Sequence, residues 1–210
     1  IGRSAEIISI LSHYGVLDRW PVWLDGSARD IFNIHTFSGA FLKEKNMLKM
    51  VKGDREAHRL NIVQDRQPCV IIAPSGMMHG GWSQFYARHL LPDKKNLVVL
   101  TCFQIPGLPG HSLLKIAHDR DVFNRFRFAG KREKIFRIKF GEDRFVPVLS
   151  QVRHHHFSSH MSSDDLEKMI ERMNPRLGIL LTHGEKSGME FIQNKHKNIF
   201  PTYVGEGVKI

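Results

Sequence analysis

The sequence predicts an α/β protein built on parallel strands. Three observations point there. Cys69-Val70-Ile71-Ile72 and Leu97-Val98-Val99-Leu100 are short continuous apolar runs, the pattern of strands covered on both faces. Stretches with helical period alternate with them along the chain. The connections between the two kinds of segment are short and carry glycine or proline.

Taken in order, Ala5 to Leu11 places Ile7, Ile8, Ile10 and Leu11 on one face of a first helix that ends near Gly15. Pro21-Val22-Trp23-Leu24 reads as a short strand and Asp25-Gly26 as its turn. Ser27 is placed to cap a second helix through Ile31, Ile34 and Phe37. Residues 43–67 are charged and weakly periodic, and the sequence assigns them no element. Cys69 to Ala73 is a buried strand, followed by a loop with three glycines. Trp82, Phe85, Tyr86 and Leu90 mark the next helix and Leu97 to Phe103 the next buried strand. A break is expected around 116–134, where Asp, Arg, Lys and Phe mix with little period. Ile135–Phe140 and Phe145–Val152 read as strands of a different layer. A helix from Ser163 to Met173, a strand from Leu177 to Thr182, a helix from Lys186 to Lys197 and a strand near Tyr203 complete the chain. The composition shifts near residue 140, which divides the chain into 1–140 and 141–210.

Composition narrows the class. The 210 residues are 41% hydrophobic and 25% charged, an ordinary globular mixture. A chain of this length buries roughly 70% of its unfolded surface and needs no disulfide scaffold. A disordered tail, a collagen-like repeat and a cysteine-stapled toxin are excluded. No apolar run approaches the ~20 residues that cross a bilayer. With 31 Lys+Arg against 21 Asp+Glu, the formal net charge of +10 favours a polyanionic partner. Cys69 and Cys102 are the two cysteines, both in apolar surroundings, and read as reduced thiols of an intracellular compartment. The chain opens Ile1-Gly2-Arg3 straight into a helical pattern, which reads as a segment of a longer protein.

Three segments could carry chemistry. In the first, His154-His155-His156-Phe157-Ser158-Ser159-His160, a histidine stands just before a helix whose apolar stripe is Leu166, Met169, Ile170 and Met173. Ser162 with Asp165 three residues on forms a capping box, and Asn174-Pro175 closes the helix. Free N–H groups at such a terminus favour anions, and His160 could hand a proton to a phosphate ester's leaving oxygen. A surface histidine cluster is the alternative. In the second, His183 ends the strand Leu177–Thr182, at the edge where ligands gather in open α/β sheets, and a neutral imidazole there suits zinc. One helix and one strand separate His160 from His183, a unit able to bring both rings to one rim. The third is the loop Ser75-Gly76-Met77-Met78-His79-Gly80-Gly81, where glycines let backbone N–H groups approach phosphate. It is neither a Walker A loop nor Gly-x-Gly-x-x-Gly, and a purely structural turn is the alternative.

In this order the segments resemble the β-CASP family of metallo-β-lactamase-fold nucleases, which includes cleavage and polyadenylation factor nucleases and ribonuclease J. Gly2-Arg3-Ser4-Ala5-Glu6 is similar to the family's Gly-Arg-x-x-Glu opening and Pro21-Val22-Trp23-Leu24-Asp25-Gly26 to its Pro-Val-x-x-Asp-Gly strand. The Ser75–Gly81 loop resembles Ser-Gly-Met-Leu-x-Gly-Gly. Gln104-Ile105-Pro106-Gly107-Leu108-Pro109-Gly110-His111 resembles Gln-x-x-Gly-Thr-x-Gly-Arg, with Leu108 in place of Thr and His111 in place of Arg. Phe157-Ser158-Ser159-His160 looks like motif B and Thr182-His183-Gly184-Glu185 like motif C.

The resemblance implies a parallel-sheet β-CASP domain with helices on both faces over 1–140, followed by the C-terminal part of a metallo-β-lactamase αββα fold over 141–210. It implies hydrolysis of RNA phosphodiester bonds in RNA processing or decay, with two Zn²⁺ in the full-length protein. His183 would be a metal ligand, and His160 a general acid. Ser75, Gly76, Gly80, Gly81, His156 and Ser158 would contact RNA phosphate. The family's His-x-His-x-Asp-His zinc motif precedes this region and is absent from the sequence, so this chain alone is expected to hold no zinc tightly and to be inactive. RNA is the partner implied, with a second copy or a larger RNA-processing complex beside it, no membrane, and a cytoplasmic location, or nuclear in a eukaryote. A non-catalytic β-CASP paralogue serving as an RNA-binding or scaffolding subunit stays open beside the nuclease.

Overall fold

The computed structural model describes residues 3–37, 47–53, 55–65, 67–125, 134–141, 144–155, 157, 161–182, 184 and 186–202. The chain divides into two compact units, residues 1–158 and 159–210.

The first unit opens with α1 (Arg3–His13), which buries Ile8 against Leu17, Val22, Leu24 and Phe32. Strand β1 (Val22–Leu24) lies between β2 (Leu48–Met50) and β3 (Val70–Ile72), and both pairings are parallel. Val22 faces Val70 and Leu24 faces Ile72 in register, so the apolar runs that announced the strands are the contacts that align them. Helix α2 (Ser27–Phe37) includes Ser27 as its first helical residue rather than as a cap ahead of it. The unassigned stretch 43–67 supplies β2 and α3 (Glu56–Gln64). Few apolar side chains announce α3, because its main anchor inside the protein is the wholly buried Arg59.

The second core of this unit gathers Ala87 and Leu91 from the region of α4 (Trp82–Leu90), Leu113 and Ala117 from α5 (Pro109–Arg125), Ile138, Phe140, Val146 and Val152 from the strands that follow, and Val148 from a link between two of them. The break expected from residue 116 does not occur there. Leu113 and Ala117, one helical turn apart, stay buried and carry α5 on to Arg125. The charge that made this stretch look irregular includes a structural anchor: Arg120 Nη1 donates to the carbonyls of Val148 at 3.0 Å and Ser150 at 2.6 Å.

Strand β4 (Leu97–Leu100) pairs in parallel with β7 (Gln151–His154), Leu100 opposite His154. It ends three residues before Phe103, and Leu97 and Val99 are exposed, so it is not the doubly covered strand that its composition suggests. Strands β5 (Arg137–Phe140) and β6 (Arg144–Pro147) form an antiparallel hairpin. The apolar run Phe145–Val152 is therefore two strands, β6 and β7, because the chain bends at the fully buried Ser150.

The second unit holds α6 (Ser163–Met173), β8 (Ile179–Leu181), α7 (Lys186–Lys195) and β9 (Ile199–Pro201). Ser162 caps α6: its Oγ accepts from the Asp165 N–H at 3.1 Å and donates to the Asp165 carboxylate at 2.8 Å. Asn174, in the left-handed region at φ +38°, ends the helix ahead of Pro175. Leu166 and Ile170 point into a core with Ile179, Leu181, Ile192 and Ile199, while Met173 is exposed. Strands β8 and β9 are parallel, Ile179 opposite Ile199. The closing strand lies before Tyr203, which is outside the described residues. Among the described residues, no helix is long and apolar enough to cross a membrane.

Candidate functional site

In the first unit, two loops leave the carboxyl ends of parallel strands and meet. The first runs from β3 to α4. Inside it the Ser75 N–H donates to the Gly80 carbonyl at 3.3 Å and the Met78 N–H to the Ser75 carbonyl at 3.0 Å, while Ser75 Oγ lies 3.4 Å from the His79 N–H that it accepts. The loop is closed at its base by the Ser83 N–H, which donates to the Pro74 carbonyl at 3.0 Å. Gly81 has φ +67°, and a Cβ there would stand 2.8 Å from the Pro74 carbonyl oxygen, so the turn into α4 demands glycine. Among the described residues none accepts from the backbone N–H of Gly76, Met77, Gly80 or Gly81. Gly76 and Gly81 are exposed.

The second loop, from β4 to α5, locks onto the first. Gln104 is 5% exposed, and its Nε2 donates to the carbonyls of Gly76 at 3.1 Å and Cys102 at 2.9 Å and to Cys102 Sγ at 3.3 Å. The Gly110 N–H donates to the Met77 carbonyl at 3.0 Å. Gly76 rests against the thiol so closely that an added Cβ would stand 2.6 Å from Cys102 Sγ. Burial pushes the Cys102 thiol pKa up, against the bond from Gln104, and burial together with Asp65 does the same to Cys69. Both cysteines are free. On the far side of the second loop His154 Nε2 donates to the Cys102 carbonyl at 2.9 Å.

Beneath the first loop lies a buried polar hub. The Asp25 carboxylate receives Arg59 Nε at 2.7 Å, Arg59 Nη2 at 2.6 Å, the Tyr86 hydroxyl at 2.8 Å and the Gly26 N–H at 2.7 Å. The Arg59 guanidinium lies 3.4 Å over the ring of Trp82, the residue that follows Gly81. Burial, and then the bond to Asp25, raise the Tyr86 pKa and keep the phenol neutral. A charge held this far from water needs such a full set of partners.

Residues 5–113 match the family described as the Beta-Casp domain, and this stretch contains both loops and the hub. The chain belongs to the β-CASP family. Residues 146–201 match the Zn-dependent metallo-hydrolase RNA specificity domain, a stretch that includes Phe157–His160 and Thr182–Glu185. Three relatives align along most of the chain. Transcription termination factor FttA of Lokiarchaeum sp. is 26% identical over 203 residues, which cover 89% of this chain and 30% of that protein. The Probable RNase MJ4 of Methanocaldococcus jannaschii is 25% identical over 201 residues, 92% of this chain and 42% of the relative. The RNase J-like protein of the same organism is 28% identical over 215 residues, 97% of this chain and 46% of the relative. The chain thus spans about 30% of the length of the FttA relative.

Of the β-CASP residues singled out from sequence, Ser75, Gly76, Gly80 and Gly81 fall in the first loop. His156, Ser158, His160 and His183 lie outside the described residues. Among the described residues no three His, Cys, Asp or Glu side chains gather to hold a metal ion. Sequence reasoning missed the hub. Asp25 was legible only as a turn residue and Arg59 lies in the stretch without a periodic pattern; the available signal was an acid directly after an apolar strand, where a buried carboxylate needs a buried cation.

Proposed function

We propose that the chain is the RNA-handling part of a zinc-dependent ribonuclease. The observation that carries this reading is the row of backbone N–H groups at Gly76, Met77, Gly80 and Gly81, unbonded among the described residues and borne by a chain of net charge +10. Such a row suits a phosphate oxygen, since several amides share one negative charge at no cost in desolvating a cation. The names of the relatives, a transcription termination factor and two ribonucleases, support RNA as the polyanion. In this reading RNA backbone lies on the Ser75–Gly81 loop, with His156 and Ser158 as further phosphate contacts. His160 protonates the departing oxygen and His183 serves as a zinc ligand, with residues 141–210 belonging to a metallo-β-lactamase layer. A complete zinc site then needs side chains beyond the described residues; bound there, the metal would polarise the phosphate and acidify a water.

Two measurements test it. The chain should bind single-stranded RNA with an affinity that falls steeply with salt, and Gly81→Ala should weaken that binding. In the full-length protein, His160→Ala should abolish RNA cleavage while RNA binding and thermal unfolding stay as in the wild type. Wild-type cleavage rates in that variant would remove His160 from the chemistry. RNA binding without cleavage by a zinc-loaded full-length protein would instead favour a scaffolding subunit.

A further inference from the structure

The hairpin that follows α5 has two unlike faces. Ile138, Phe140 and Val146 point inward and are buried. On the opposite face Arg137 and Lys139 of β5 are exposed, and Phe145 of β6 is 62% exposed. Lys139 and Phe145 stand opposite each other across the strands, with Lys139 Nζ 5.8 Å from the centre of the Phe145 ring. The hairpin is anchored to α5 by Phe123 and Phe136, whose rings meet edge to face at 5.9 Å, and Lys134 Nζ lies 4.9 Å over Phe136. At its other end α5 touches the glycine loop, where the Gly110 N–H donates to Met77. The 17 residues of this helix span about 25 Å. The outer face of the hairpin is therefore a surface of its own, not an extension of the loop.

Among the described residues neither Arg137 nor Lys139 meets a carboxylate. The sequence from 131 to 145 holds six Lys and Arg against three Asp and Glu, so the surplus there is positive. Ile135 and Leu149, exposed beside the hairpin, would suit any apolar partner, but two cations without a counterion select a negative one. A ring with a cation beside it matches a nucleotide, which carries a flat base and a phosphate in one unit, and stacking on an aromatic side chain tolerates every base. We infer that the outer face of β5–β6 binds single-stranded RNA, with Arg137 and Lys139 on phosphates and Phe145 against a base. This rests on RNA being the polyanion of the reading above and adds a second contact, at the far end of α5 from the Ser75–Gly81 loop.

The test uses the 210-residue chain, an oligoadenylate long enough to span α5 and an abasic oligomer with the same phosphates. Arg137→Gln combined with Lys139→Gln should lower the slope of log affinity against log salt by about 1.4, the share of two phosphates on a single strand. Lys94→Gln combined with Lys95→Gln, an equal loss of charge between α4 and β4, should leave that slope as it is. Phe145→Ala should weaken oligoadenylate binding about tenfold and leave the abasic oligomer unchanged, and Phe145→Trp should restore wild-type affinity. Neither the slope nor the difference between probes responds to a mere loss of stability. The hairpin site is refuted, and its face left to a protein partner, by a wild-type slope in the Arg137 and Lys139 variant or by an equal fall in the Lys94 and Lys95 variant. Oligoadenylate binding by Phe145→Ala that matches the wild type, or equal loss of both probes, refutes it too. The loop reading is untouched by any of these. If Gly81→Ala binds like the wild type while the hairpin variants lose affinity, the loop falls and the hairpin stands; if the wild-type chain binds neither probe, both fall.

Discussion

Arg59 meets Asp25 through two nitrogens, Nε at 2.7 Å and Nη2 at 2.6 Å, with both residues fully withdrawn from solvent. The pair joins the end of β1 to the middle of α3, and through Trp82 and Tyr86 it reaches α4. Removing the cation leaves a buried carboxylate with no countercharge. Arg59→Met should lower the stability of the first unit by about 3–5 kcal/mol, read from urea unfolding followed by tryptophan fluorescence. Asp25→Leu combined with Arg59→Met should recover part of that loss, because no unpaired charge is then left inside.

Tyr86 gives the hub a measurable pH signature. Its bond to Asp25 is a hydrogen bond to a charged group, so Tyr86→Phe should cost about 1.5–3 kcal/mol at neutral pH. The phenol pKa is raised in the folded state, chiefly by burial, so the unfolded chain gives up this proton first. Unfolding then releases a proton, and the contribution of Tyr86, full below pH of about 10, is lost as pH rises beyond it. Wild type should lose stability above that pH more steeply than Tyr86→Phe in parallel unfolding titrations.

The contact between Gly76 and Cys102 predicts a compensating pair. Gly76→Ala brings a methyl group to within 2.6 Å of the sulfur if nothing moves, an overpacking that should cost about 1–3 kcal/mol. Cys102→Ala removes the obstructing atom and keeps the backbone carbonyl that Gln104 uses. In the double variant most of the loss from Gly76→Ala should vanish, giving a coupling energy of opposite sign to the single effect. Additive losses in a thermal-unfolding cycle would count against this packing.

For the second unit, Ser162→Ala removes the acceptor for the Asp165 N–H and should cost about 1 kcal/mol. The loss should show as faster amide exchange in the first turn of α6, with protection in the first unit unchanged.

Where apolar pattern and fold share a cause, the sequence was a sufficient guide. The pairs Val22–Val70 and Leu24–Ile72 align the very runs whose composition marks them as strands. Helix α6 keeps the limits read from its cap and its Asn-Pro end, because both signals act within a few residues of one another. Elsewhere the deciding contacts are long-range and polar. Arg120 holds α5 to carbonyls 28 and 30 positions on, and Arg59 places α3 through the carboxylate of Asp25, just past the end of β1. Periodicity cannot see either bond, so one segment read as a break and the other as nothing. The site divided in the same way: the glycines of the first loop were visible as a motif, whereas the amide lock of Gln104 is a contact between loops 28 residues apart in the chain.

The hub also constrains how this protein can change over time. Residues 25, 59 and 86 come from three separated stretches of chain, yet the carboxylate of the first takes the donors of the other two inside one small volume. Drift at any one of them strands its neighbours, so lineages should exchange all three in concert or none, and a single altered member in a related sequence should mark a molecule in which the helix beneath the glycine loop has found another mooring.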